Sequence, residues 1–304
     1  YILHKLECIF MHTKTTRKQK ENTIMKKYLS LVLAILMAFT TLAVFASCGS
    51  STTAPASGTP SEEKSATPAS GTPSGEKSTT PAKPVLKMGT NAYFRPYEFY
   101  EGTEIVGIDA EIAAAIAEKL GMELEIVDMD FNSILSAVNA GQVDFGMAGM
   151  TVREDRLLEV DFTQSYANGK QVVIVKEDSA ITNVDDLFAD GATYKAGVQK
   201  GTTGDIYATD DLGEGRVVQY ANGNEAILAL TGGAVDCVII DNEPAKALVA
   251  ANAGLKILDT TYADEDYAIC VKKGNNELLE KLNGAIVALI ADGTVDQIVA
   301  KYIK

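Results

Sequence analysis

The residue types best suited to chemistry cluster at Val143 to Arg156, VDFGMAGMTVREDR. The stretch reads as a short buried strand, a glycine-containing break and a helix starting at Thr151. Thr151 and Glu154 have the T-x-x-E spacing of a capping box. Arg156 then falls beside a strand end and a helix N-terminus. Orphan backbone N–H groups and a planar guanidinium in one place make a receptor for a small carboxylate. The same pattern also fits a capped surface helix with a solvated arginine.

Three further stretches could complete such a receptor. Gln199-Lys200-Gly201-Thr202-Thr203-Gly204 follows a strand and precedes a helical run, so its backbone N–H groups suit a second anion cradle. Lys and Thr are not in the order that a phosphate-binding loop requires. Asp241 ends an otherwise uncharged strand, where it can take an ammonium, cap the segment from Glu243 or Pro244, or do both. Asn91-Ala92-Tyr93-Phe94-Arg95-Pro96-Tyr97-Glu98-Phe99 follows the first strand. Phe94 and Phe131 lie just past strand ends, where they read either as walls of a cleft or as core.

The composition argues against other chemistries. Both histidines, His4 and His12, fall in the first 24 residues. With no cysteine cluster beside them, neither a structural zinc site nor any other metal or cofactor is expected. Cys237 and Cys270 each lie in an apolar run without a C-x-x-C partner and read as small buried hydrophobes. No Ser or Thr has an evident base. Glu98 and Asp241 are the only candidates for proton transfer, which leaves a dehydratase-like enzyme as the alternative to a binding protein.

Positioning these residues needs an α/β frame. Val85–Gly89, Leu124–Val127, Val143–Met147, Val172–Lys176, Lys195–Val198, Val217–Tyr220, Val235–Ile240 and Tyr267–Val271 read as strands. A helix capped by Asp109 carries Ile112, Ile116 and Leu120 on one face and stops at Gly121. Helices are also predicted over Asn132–Ala140, Glu277–Ala291 and Val295–Ile303. The alternation predicts mostly parallel sheets with helices on both faces. LSAVNAGQVDFGMAG at 135–149 echoes ILALTGGAVDCVIID at 227–241, aligning Asp144 with Asp236 and Gly149 with Asp241. Two copies of one α/β unit predict two similar lobes, with ligands bound beyond the carboxyl ends of their strands.

The N-terminal quarter reads differently. Residues 1–24 are basic and aperiodic and read as an upstream extension of doubtful translation. Met25, Lys26 and Lys27 open a second start, followed by an apolar run to Phe45 and Ala46-Ser47-Cys48. Residues 25–47 therefore resemble a bacterial lipoprotein signal peptide with Cys48 as the lipidated residue. The alternative is a membrane anchor slightly short of the roughly 20 residues that span a bilayer. Either way the rest of the chain is expected outside the cytoplasm, held at the membrane. Residues 49–84 hold a near-repeat, SGTPSEEKSATPA and SGTPSGEKSTTPA, with no apolar residue larger than Ala. Such a segment is a disordered linker, reaching about 30–35 Å from the anchor at 48. Residues 1–47 hold seven Lys and Arg against two Asp and Glu. Of the chain's 27 basic and 41 acidic residues, 20 and 39 therefore fall in the remainder, a net charge of −19. That surface repels nucleic acid.

TNAYFRPYEF, GIDAEIAAAIAEKLG, VDFGMAGMTVREDR, VDF at 160–162, GVQKGTTG and VDCVIID together resemble the polar amino-acid binding proteins of ABC importers, family 3 of the extracellular solute-binding proteins. The resemblance covers residues 85–304. It implies the two-lobed α/β periplasmic-binding-protein-like fold (type II) with two crossing hinge strands, near Tyr166–Lys170 and Tyr262–Tyr267. One lobe would be 85–167 plus 267–304, the other 168–266. It implies capture of a polar amino acid for a membrane permease, with a sensory co-receptor as a further alternative. Carried over, Arg156 holds the ligand carboxylate, with Thr151, the Gly149 backbone and the Thr202-Thr203 turn beside it. Asp241 holds the ammonium, opposite Ala148 and Gly149. Phe94 and Phe131 flank the side chain, and Asn91 and Gln199 meet its polar end. Glutamine-binding members have an acid where Asn91 stands and a lysine where Gln199 stands. The resemblance therefore points to a neutral or differently polar side chain.

Overall fold

A computed structural model describes residues 83–259 and 261–303. The expected upstream extension, the expected signal peptide, Cys48 and all but the last two residues of the expected linker lie outside the described residues. The chain runs β1 (Val85–Thr90), β2 (Tyr93–Phe94), β3 (Glu98–Glu101), β4 (Glu104–Val106), α1 (Ile108–Lys119), β5 (Glu123–Asp128), α2 (Ile134–Ala140), β6 (Phe145–Gly146), α3 (Glu154–Leu157) and β7 (Val160–Lys176). It continues β8 (Ala196–Gln199), α4 (Thr203–Leu212), β9 (Val217–Tyr220), α5 (Gly223–Gly232), β10 (Cys237–Asp241), α6 (Asn242–Ala251), β11 (Leu255–Ile257), β12 (Ala263–Lys272), α7 (Asn276–Ala291) and α8 (Thr294–Tyr302).

Helix α1 shows why these segments fold as they do. Ile108, Ile112 and Ile116 recur every four residues and are fully buried, each contributing roughly 1.5–3 kcal/mol of burial. They join Leu86 and Met88 of β1 and Ile286 of α7 in one core. A second cluster gathers Val173, Val175, Ile181, Leu187, Val198 and Ile239. A third holds Phe131, Ile134, Val138, Met150 and Val160.

The strands form one sheet in the order β5-β1-β6-β12-β7-β10-β8-β9, with β11 also paired to β7, and a separate β2-β3-β4 meander. β1 is parallel to β5 and β6, and β8 is parallel to β9 and β10. β7 and β12 depart from the predicted parallel pattern: they pair antiparallel from Val160↔Lys272 to Gln171↔Ala263 and link the two parallel groups. The meander was not predicted, because strands of two to four residues carry too little periodicity.

The echo between 135–149 and 227–241 has a structural counterpart. α2 and α5 both end at a left-handed glycine, Gly141 and Gly233. Asp144 then accepts the backbone N–H of Lys87 at 2.7 Å, and Asp236 accepts that of Lys195, also at 2.7 Å. In each copy the aspartate fastens its strand to the start of the neighbouring one. Cys237 and Cys270 are buried and free, as their surroundings predicted.

Two local predictions fail. Asp109 does not cap α1: the cap position is Gly107, and Asp109 is buried inside the first turn. The Thr151 capping box does not form either. The helix begins at Glu154 with Arg153 in the cap position. Thr151 bridges to Tyr267 instead, and its hydroxyl donates to Glu265 at 3.2 Å.

Candidate functional site

One cavity lies beyond the ends of β1, β6, β8 and β10. Asn91, Phe94, Phe131, Ala148, Gly149, Thr151 and Arg156 line it from one parallel group of strands. Gln199, Thr202, Thr203 and Asp241 line it from the other. All eleven residues singled out in the sequence are thus brought together, with Glu98 as a twelfth.

Arg156 is 5% exposed. Its guanidinium donates to the Thr151 carbonyl at 2.9 Å and to the Gly201 carbonyl at 3.1 Å, so one side chain touches both sides of the cavity. It also lies 5.5 Å from the centre of the Phe131 ring. Burial lowers its pKa from the usual arginine value, yet a guanidinium remains charged in a protein. The short helix that carries it offers little macrodipole. Its recognition power is therefore the planar fork itself.

The turn after β8 is a smaller cradle than predicted. The Gly201 N–H is already taken by Asp205 at 2.9 Å. The Thr202 hydroxyl caps α4, accepting from the Asp205 N–H at 3.3 Å. Thr203, the first residue of α4, accepts from the Gln171 side chain at 3.2 Å. Gly201 has a left-handed φ of +79°, and a Cβ there would lie 2.8 Å from the Asn132 side chain, so the turn can approach α2's leading residues only as glycine.

The aromatic wall depends on another glycine. Gly149 has φ +53°, and a Cβ would meet Phe94 at 2.8 Å. Its N–H donates to Asp109 at 2.9 Å, which leaves its carbonyl for the cavity. Phe94 stacks on Tyr97 with ring centres 5.7 Å apart. Asn91 donates to the Met129 carbonyl and accepts from Gln199, each at 2.9 Å.

Carboxyl groups dominate the remaining wall. Asp241 is 6% exposed and stands at the cap position of α6 without making a side-chain cap bond, so the helix-cap alternative falls away. The Tyr267 hydroxyl donates to it. Burial, then the neighbouring Glu265, push its pKa well above the usual carboxylate range. Glu98 is 1% exposed, and one of its oxygens, Oε2, has no hydrogen-bond partner. Burial, then Asp109, push it up in the same way. Asp109 itself is raised to about 6 by burial, against the bonds from Gly149 and Tyr166. From the sequence Glu98 is expected only as a possible proton-transfer group. The signal available was an acid set between Tyr97 and Phe99 in an aromatic run. Gln171 and Glu265, which support the site from β7 and β12, carried no such signal.

No cluster of His, Cys, Asp and Glu able to hold a metal occurs among the described residues. The arrangement instead offers one fixed cation, two acids and two aromatic faces, all largely dehydrated. It can hold a small zwitterion by both ends.

Several known proteins resemble this chain. The chain is similar to the arginine-binding extracellular protein ArtP of Bacillus subtilis, with 31% identity over 288 residues, covering 91% of this chain and 98% of that protein. It is 31% identical over 231 residues to the L-arginine-binding protein of Pseudomonas aeruginosa, covering 72% and 88%. Among solved structures, an ancestral arginine-binding protein bound to arginine superposes with a TM-score of 0.67 and 39% identity, covering 72% of this chain and 98% of that one. Residues 86–304 match the bacterial extracellular solute-binding proteins, family 3, and the chain belongs to that family.

Proposed function

We propose that the chain captures a polar amino acid outside the cytoplasm and delivers it to an ABC importer, without a chemical step. The observation that carries this reading is the meeting of Arg156 and Asp241 in one buried cavity, each from a different parallel group of strands. A ligand carboxylate takes the guanidinium fork, and its ammonium takes Asp241. In this reading 85–167 plus 267–304 form one lobe and 168–266 the other, hinged where β7 and β12 pair. Closure then dehydrates both ion pairs together.

Glu98 refines the ligand class. A zwitterion uses Arg156 and Asp241 and leaves Glu98 as a buried acid with a free oxygen. A positively charged ligand side chain would pair with it and restore the carboxylate that burial disfavours. Relatives named for arginine binding support the same choice. Anchoring through a lipid on Cys48 rests on the sequence alone. A mature chain beginning at a lipid-modified Cys48, read by intact mass, is its expected form.

The test is a thermal-shift and calorimetric screen of the twenty amino acids. L-arginine or L-lysine should bind most tightly. Glu98→Gln should weaken L-arginine about 10- to 100-fold, the loss of a charge-assisted contact, while leaving L-glutamine nearly unaffected. No shift with any amino acid would defeat the capture reading. Turnover of a bound ligand would replace it with the enzyme alternative.

A further inference from the structure

Asp241 has a competing use close at hand. It stands at the cap position of α6, where an aspartate ordinarily accepts the N–H of the second or third helical residue. The third is Pro244, which has no N–H, so Glu243 is the competing donor. Asp241 makes no side-chain cap bond. Its Oδ1 instead accepts from the Tyr267 hydroxyl. The placing of that hydroxyl therefore bears on whether the carboxyl faces the cavity or its own helix.

Tyr267 is fully buried in β12, where the register with β7 shifts between Tyr267 and Ala268. A shift of this kind re-aims a side chain. The ring meets Tyr97 edge-on, with centres 5.3 Å apart and planes at 82°, and Tyr97 stacks on Phe94 of the cavity wall. Gly169 of β7 lies against the same ring. A Cβ at Gly169 would overlap the Tyr267 hydroxyl and ring. Gly169 is not among the glycines with positive φ, so space and not backbone conformation calls for glycine there. The backbone around Tyr267 is fastened to the opposite end of the ligand site. The Ala268 N–H donates to the Met150 carbonyl and the Val152 N–H to the Asp266 carbonyl, each at 3.0 Å. Tyr267 thereby pairs with Thr151, whose carbonyl accepts from the Arg156 guanidinium at 2.9 Å. One residue runs from the segment that holds Arg156 to the acid that faces it.

We propose that Tyr267 is a positioning residue that sets the spacing between the carboxylate and ammonium grips: it holds Asp241 off its own helix, at the distance an α-amino acid spans, and Gly169 is the slot that admits its ring. Resting on the capture reading above, this role makes Tyr267 a determinant of selection for the α-amino group and not for the ligand side chain. A rigid ring with two rotatable bonds suits it to the task, because little freedom is left to blur the interval.

The test is calorimetric titration of the full chain with L-arginine and with desamino-arginine, the same molecule without its amino group. Tyr267→Phe keeps the ring and removes the hydroxyl. L-arginine should then weaken about 3- to 30-fold, the worth of the cap bond that Asp241 is freed to make. Desamino-arginine has no ammonium to offer and should change by less than about twofold. Gly169→Ala should reduce the preference for L-arginine in the same sense, by displacing the hydroxyl. Equal losses for the two ligands in Tyr267→Phe, or no loss for either, would overturn the proposal, because a merely structural role moves both alike. If that variant does not fold, Gly169→Ala decides by the same comparison. If L-arginine gives no heat, L-glutamine and desamino-glutamine replace the pair. An unchanged preference leaves amino-acid capture standing, whereas no heat with any of the twenty amino acids defeats both.

Discussion

The Gln199 side chain donates to Asn91 Oδ1 at 2.9 Å, across 108 positions of sequence and from one parallel group of strands to the other. Each residue is 4% exposed. The family resemblance implies that both meet the polar end of a ligand. In this structure they bond to each other in the cavity wall, and Arg156 makes a second bond between the two groups through Gly201. The two bonds together tie one parallel group of strands to the other.

Replacing Gln199 by Ala removes the donor and leaves Asn91 Oδ1 buried without one. A bond of this kind is worth about 1–2 kcal/mol when its partner is left unsatisfied, so affinity should fall about 5- to 30-fold. In the closure proposed above, the loss should appear mainly as faster dissociation. Stopped-flow release of L-arginine measures it. An unchanged dissociation rate would show that the bond does not hold the halves together.

Arg156→Ala should weaken every amino acid, whatever its side chain. It strands a carboxylate in a dry cavity, a loss of about 2–5 kcal/mol, or roughly 30- to several-thousand-fold in affinity. Arg156→Lys should recover only part, because an ammonium cannot reproduce the two-pronged donor geometry. Calorimetry across several amino acids checks both. Loss confined to one ligand would mean that Arg156 reads the side chain.

Asp109 predicts a pH dependence of stability. Its folded pKa, about 6, lies above the usual 3.8. An acid raised on folding favours the native state when protonated, so its contribution is largest below about pH 4 and disappears as pH rises through 6, at most about 3 kcal/mol. Asp109→Asn keeps an acceptor for the Tyr166 hydroxyl, now at 2.8 Å, and has no charge to bury. Urea unfolding at pH 4, 5, 6 and 7 should show the variant gaining on wild type across that interval. Parallel curves would mean that Asp109 does not titrate there.

Residues at strand ends were legible because position along a strand fixes which end faces a cleft. Arg156, Asp241, Phe94 and Phe131 follow from that rule and from the family resemblance, and they line one cavity. The supporting residues were not legible. Glu265 meets Gln171 across 94 positions and Thr151 across 114, and no local pattern announces a contact that only the pairing of β7 with β12 creates. The same contact defeated the Thr151–Glu154 capping box. Its spacing was right, but a tertiary acceptor took the hydroxyl and the helix began three residues later. Asp109 has the composition of a helix cap, and long-range partners, Gly149 and Tyr166, drew it inward.

β6 pairs on one edge with β1 and on the other with β12, and α1 packs against α7 and α8. The second edge of β6 and the face of α1 that meets α7 and α8 therefore stay uncovered until the chain's last 40 or so residues have been made. The middle segment from β8 to β11 needs only β7, which precedes it. On the ribosome the half begun second should consequently be finished first. Nascent chains arrested near residue 262 should resist protease over 172–258 while 85–157 is still digested.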